Sequence, residues 1–128
     1  MQIVSALFIE EIELRQVPGP STRIDLTGIQ FSAPAPEPFP VTVTPHLVII
    51  VRNAIGEEPN GVLEVVFHRD GEEIARNVQP VDVEPGKFAY RLVRGELDFP
   101  AAGTVEAHCR VGLGDWTVVP YTLLEPVG

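Results

Sequence analysis

Val62-Leu63-Glu64-Val65-Val66-Phe67-His68-Arg69-Asp70-Gly71-Glu72-Glu73-Ile74-Ala75 reads as strand, tight turn, strand. Leu63, Val65 and Phe67 alternate with Glu64, Val66 and His68, the period-2 pattern of a strand with one buried face. Asp70-Gly71 supplies two residues that tolerate positive φ, as a two-residue hairpin turn requires. Most of the chain repeats this grammar, so a fold class follows from it.

Working outward, residues 3–15 end in the alternating Ile12-Glu13-Leu14-Arg15. A helix through Ile3, Leu7 and Phe8 would place Glu10, Glu11 and Glu13 badly, so a strand is expected. Val17-Pro18-Gly19-Pro20 marks a turn, and Arg23 to Ile29 pairs back as a hairpin. Phe31 to Pro40 holds four prolines and must be extended, because proline lacks a ladder donor. It reads as a stiff crossover between sheets pinned by Phe31 and Phe39; the alternative is a ligand for an aromatic groove. His46 to Arg52 is apolar without alternation, the pattern of a central strand covered on both faces.

Asn53 to Gly61 is a polar loop. Residues 78–86 carry Pro80 and Pro85 and read as a loop or weak strand, with Val78, Val81 and Val83 leaving room for an extra strand. Phe88, Tyr90 and Leu92 share one face of the next strand. Leu97 and Phe99 are expected core plugs in the connection that follows. In the last pair Val105, Ala107, Cys109 and Val111 point inward, and Pro120 in the return strand suggests a bulge or an edge. About eight short strands without a convincing helix indicate one domain over residues 1–128, an all-β, two-sheet antiparallel sandwich, with a closed barrel as the alternative.

Composition narrows the function classes. Eighteen acids face nine bases, for a net charge of −9. That field repels phosphate, so neither nucleic acid nor an anionic membrane surface is an expected partner. A single cysteine, Cys109, allows no internal disulfide and suits a reducing compartment. The apolar opening run has no basic n-region and is cut by Glu10 and Glu11, so it reads as neither a signal peptide nor a span. A cytoplasmic location is expected.

Phe99-Pro100-Ala101-Ala102-Gly103-Thr104-Val105-Glu106-Ala107 resembles the approach to the penultimate strand of immunoglobulin-like domains. Val105 replaces their corner tyrosine and Ala107 their cysteine, so the resemblance implies the sandwich without its disulfide. A second resemblance spans nearly the whole chain. Ala6-Leu7-Phe8, Leu26-Thr27-Gly28-Ile29, Phe39-Pro40, Arg69-Asp70-Gly71-Glu72 and the final Gly-rich turn together resemble an uncharacterised bacterial family of small immunoglobulin-like β-sandwich proteins. That resemblance implies a fold and no activity.

Chemistry-bearing residues are sparse. His108 and Cys109 are adjacent on a strand and face opposite sides, so they cannot chelate together. The pattern leaves room for His46 and His68 on neighbouring strands, but no converging set with metal-ligand spacing is present, and no metal or other cofactor is expected. Cys109 shares the inward parity and reads as packing rather than nucleophile. No catalytic residue emerges. Trp116, Tyr90 and Tyr121 would suit a sugar-stacking platform, against the plainer reading of core and interface filling.

Alternating loops of a meander would collect 16–21, 53–61, 78–86 and 112–115 at one end. Glu57, Glu58, Asp82, Glu84 and Asp115 then gather there, with no lysine or arginine inside those loops. These five acids are the candidate partner-binding residues. A non-catalytic protein-interaction or accessory module is the expectation. The alternatives are an enzyme with a carboxylate site in a loop cleft, and a subunit of a homo-oligomer.

Overall fold

The computed structural model describes residues 1–16 and 22–127; the turn expected at Val17 to Pro20 lies outside them. The described chain is all β. Its strands are β1 (Gln2–Gln16), β2 (Thr22–Ile29), β3 (Ser32–Pro34), β4 (Val41–Val43), β5 (His46–Arg52), β6 (Asn60–Arg69), β7 (Glu72–Asp82), β8 (Phe88–Arg94), β9 (Leu97–Phe99), β10 (Gly103–Val111) and β11 (Thr117–Leu124). They form a four-stranded sheet in the order β2-β1-β5-β8, a five-stranded sheet β3-β11-β10-β6-β7, and the short pair β4-β9. Neither larger sheet closes into a barrel.

Eleven strands stand where about eight are expected, for identifiable reasons. Continuing the β5–β8 register past Pro45 gives the β4–β9 partners without a shift. Pro45 has no N–H to donate, so one long ladder is divided there. β3 lies inside the proline-rich crossover and pairs parallel with the end of β11, so the sheets are not wholly antiparallel. Ala35 is the buried residue of that crossover, whereas Phe31 is exposed and pins nothing. Residues 78–82 hold no extra strand, because β7 continues through Pro80 to Asp82 opposite Asn60.

The inner faces follow the alternation. Leu63, Val65 and Phe67 of β6 and Val105, Ala107, Cys109 and Val111 of β10 are buried against Leu47, Ile49, Val51 and Val93 of the other sheet. Phe8 of β1 meets Tyr121 of β11 with ring centroids 5.0 Å apart, and Leu97 and Phe99 are buried as expected. The turn after β6 places Asp70 at φ 51° and Gly71 at φ 81°, the positive pair of a type I′ hairpin.

β1 does two jobs. Its first half pairs with β5 and its second half with β2, and Ile9 is opposite both His46 and Ile29. Gly28, at φ +67°, lies at this junction, where a Cβ would meet Glu10 Cδ at 2.5 Å. β2 and β8 occupy opposite ends of their sheet, about 14 Å apart if it were flat at ~4.8 Å per strand. Yet Arg23 and Ile24 of β2 line one groove with Ile50, Phe88, Ala89 and Tyr90. The β1–β2 ribbon therefore folds across the outer face of the sheet. Its apolar side consists of Ile12, Ile24 and Leu26, which are half-buried, and Leu14, which stays exposed toward the ribbon's tip; Ile12 pairs with Leu26 and Leu14 with Ile24 by register. This cover explains why Val48 is 0 % exposed although it points away from the main core. Phe88, Tyr90 and Leu92 share a face as expected, but it is this outer one; Ala89 and Val93 face the core.

Burial pushes the Cys109 thiol up to about 12. A thiol reagent at neutral pH is expected to label native protein slowly and unfolded protein at once. Rapid stoichiometric labelling of the native state would place Cys109 on the wrong face of β10.

Candidate interaction surface

Two connections cross from one sheet to the other at the same end of the molecule. Residues 53–59 lead from β5 to β6, and residues 83–87 lead from β7 to β8. Asn53 ties them together. Its amide Nδ2 donates to the carbonyls of Glu58, at 2.8 Å, and Val83, at 2.9 Å. Its backbone N–H donates to Lys87 O, and its own carbonyl accepts from Gly86 N, both at 2.9 Å. Val83 N donates to Pro59 O at 2.8 Å. Asn53 is the one buried polar residue among those described.

The third connection, residues 112–116 between β10 and β11, joins this end through Gly112 N, which donates to Val62 O at 2.9 Å. Met1 lies between the loops, in a groove of about 290 Å³ shared with Glu57, Glu58 and Leu113. Glu57, Glu58, Glu84 and Asp115, on the three connections, and Asp82, the last residue of β7, are therefore at one end. Of the fourth expected loop, 16–21, only Gln16, the last residue of β1, is among the described residues.

The end is not free of cations. Lys87, just past the expected loop boundary, reaches Glu84 at 2.6 Å, and the Met1 ammonium lies 3.7 Å from Glu57. The Lys87 hydrogen bond lowers the Glu84 pKa, and Glu84 raises that of Lys87. Glu58, Asp82 and Asp115 have no cation within ion-pair distance among the described residues. The same end exposes two apolar tips, Ile55 at 89 % and Leu113 at 95 % exposure.

Asp115 leads directly into Trp116 and the outer face of the five-stranded sheet. There Glu64 of β6 accepts from Arg110 of β10 at 2.8 Å and from Arg76 of β7. The Arg110 guanidinium lies 4.3 Å over the Trp116 ring. His68 and His108 meet edge to face at 4.2 Å. Cross-strand register alone brings these side chains together: Arg110 is opposite Glu64, and His108 opposite Val66. The outward parity of Glu64 and Arg110 is legible in the sequence. Their adjacency is not, because β6 and β10 are far apart in the chain.

The other constellations separate. His46 is on β5 and His68 on β6, in different sheets, so they are not neighbours. His108 and Cys109 do face opposite sides. Tyr121 is in the core, Tyr90 on the ribbon-covered face and Trp116 on the opposite outer face, so no three-ring platform exists. No group of three or more His, Cys, Asp or Glu is placed to hold a metal among the described residues. None of the described acids is buried.

No family model, curated protein or solved structure matches the chain. No helix of the described residues is long and apolar enough to cross a membrane.

Glu64 gives the outer face a pH signature. Its hydrogen bond from Arg110, helped by the charges of Arg110 and Arg76, holds its pKa below the ordinary 4.5. A carboxyl lowered on folding contributes stability that is fully present above its unfolded pKa and lost as pH falls through its folded one. Between pH 5 and 3 the thermal midpoint of Glu64→Gln should therefore fall less steeply than that of the wild type. Parallel curves would mean that the Arg110–Glu64–Arg76 ladder contributes nothing in solution.

Proposed function

We propose that the chain is an immunoglobulin-like β-sandwich that works in the cytoplasm as a non-catalytic module, docking a basic segment of a protein partner at its acidic end. One observation carries this reading: two of the connections expose Ile55 and Leu113 at the end of the molecule that also carries Glu57, Glu58, Asp82, Glu84 and Asp115, with Leu113 sharing a groove with Glu57 and Glu58. An apolar anchor surrounded by charge is the arrangement of a protein-binding surface. The carboxylates would steer a cationic partner, and Ile55 and Leu113 would supply the desolvated contact. The clamp at Asn53 spares part of the entropic cost of ordering two of the loops on binding.

The immunoglobulin-like element is supported by strand order. The run β11-β10-β6-β7 corresponds to the G-F-C-C′ order of such sandwiches, opposite a sheet built on adjacent β5 and β8. Membership of the small bacterial sandwich family suggested by the motifs belongs to the same proposal. The enzymatic alternative draws no support from the described acids, since a general acid or base needs a carboxyl perturbed by burial.

The test begins with affinity capture from the source organism and continues with stopped-flow association of the captured protein. Changing Glu57, Glu58, Asp82 and Glu84 together to their amides should slow association about tenfold at low ionic strength and flatten its salt dependence. Ile55→Ser with Leu113→Ser should speed dissociation instead. An on-rate and salt dependence untouched by the amide variant would reduce this end to a solvated surface.

A further inference from the structure

A second surface, separate from the acidic end, goes beyond that reading. We propose that the free edge of β8, with the groove beside it, takes an extended peptide segment of a partner protein, apolar at its centre and acidic at its ends. β8 terminates the order β2-β1-β5-β8, so one row of its backbone groups has no strand partner in the sheet. Such an edge is a template for an added strand unless proline, a bulge or a cover blunts it. β8 contains no proline, and its register with β5 is unbroken from Phe88 to Arg94; its one safeguard is Arg91, whose guanidinium donates to Tyr90 O at 2.9 Å and to Pro80 O of β7 at 3.4 Å and must swing aside for an added strand. The neighbouring edge strand β7 carries both safeguards, Pro80 and a register shift opposite Phe67/His68.

A strand added to β8 would set alternate side chains beside Phe88, Tyr90 and Leu92. A groove of about 330 Å³ already opens there, between Ile24 of the ribbon and Ile50, Phe88 and Tyr90 of the sheet. Phe88 is 73 % exposed at its rim, an aromatic contact without a partner in the fold. The groove is absent from an ordinary open sheet; it exists because the ribbon folds across this face.

Charge selects the occupant. The protein carries a net −9, yet an arginine stands in this groove and one more at each end of the β5–β8 pair. Arg23 lines it, Arg52 is opposite Phe88, and Arg94 is opposite His46 at the other end of β8. None of the three has a carboxylate within ion-pair distance among the described residues. Arg52 bonds instead to the neutral amide of Gln2, at 2.6 Å. Cations at both ends of β8, beside an apolar slot, fit a strand with carboxylates at its ends and aliphatic side chains between them.

The probe is a display library of random heptapeptides, selected on the full chain and read by sequencing. Enriched peptides should carry apolar residues at i and i+2 flanked by Asp or Glu. In fluorescence anisotropy a labelled winner should bind at least tenfold more weakly to Phe88→Glu and to Arg94→Glu, with the unfolding midpoint of each variant unchanged. The winner should bind the four-amide variant of the acidic end as it binds wild type, and it should slow amide hydrogen exchange along β8. Enrichment no greater than on a blank surface, winners without acids, or wild-type binding by both variants would overturn the proposal. So would self-association of the free protein that Phe88→Glu abolishes, because the occupant would then be a second copy.

Discussion

The buried amide of Asn53 holds the two sheets together where the chain crosses between them. Both connections that cross at this end, 53–59 and 83–87, converge on its side chain and backbone. Each donated bond satisfies a loop carbonyl that would otherwise be buried or frayed. Leaving one such group unpaired costs about 1–3 kcal/mol, which is large against the stability of a domain this size. An apolar residue here would orphan the buried Val83 carbonyl, a loss set against the one buried acceptor that Asn53 itself leaves unpaired, its Oδ1. The loops carrying Glu57, Glu58 and Glu84 thus take their positions from one polar group inside an otherwise apolar core.

Much of the fold is visible in local sequence because the constraint is local. Leu63, Val65 and Phe67, and Val105, Ala107, Cys109 and Val111, alternate in strands with one face in water, so parity alone assigns their direction. Asp70-Gly71 names its own turn. β5 hides nothing, since an apolar run without alternation has few other homes. What parity cannot give is which face of an edge strand is inside. Phe88, Tyr90 and Leu92 share one face by parity, and only the folded chain shows it to be the outer face, on the ribbon's side, with Phe88 left exposed. That cover depends on β1 changing partners at Ile9, a long-range event with no signature beyond Gly28. Pro45, which divides one ladder into two, reads in sequence as a boundary rather than a nick in a continuing strand.

The candidate site was legible in the same partial way. Acids in loops are visible, and alternation of loop ends brings Glu57, Glu58, Asp82, Glu84 and Asp115 together. Lys87 falls one residue beyond the expected loop boundary, and only the folded chain places it on Glu84. Asn53 could not be singled out, because asparagine after a strand ordinarily marks a turn. The Glu64–Arg110–Trp116 array depends on the pairing of β6 with β10, which no local pattern specifies. The distribution of charge is likewise a tertiary property. Carboxylates concentrate at the loop end, while Arg23 lines the groove on the ribbon side and Arg52 and Arg94 stand at the two ends of the β5–β8 ladder.

The central claim is that the acidic end is a preformed surface rather than a set of mobile loops. Backbone ¹⁵N relaxation on the free protein tests it most directly. With Asn53 bonded to both loops, order parameters for residues 54–59 and 83–87 should approach the ~0.85 of rigid strands. Values below about 0.6 along both loops would contradict it, since a surface ordered only on binding owes nothing to the Asn53 clamp.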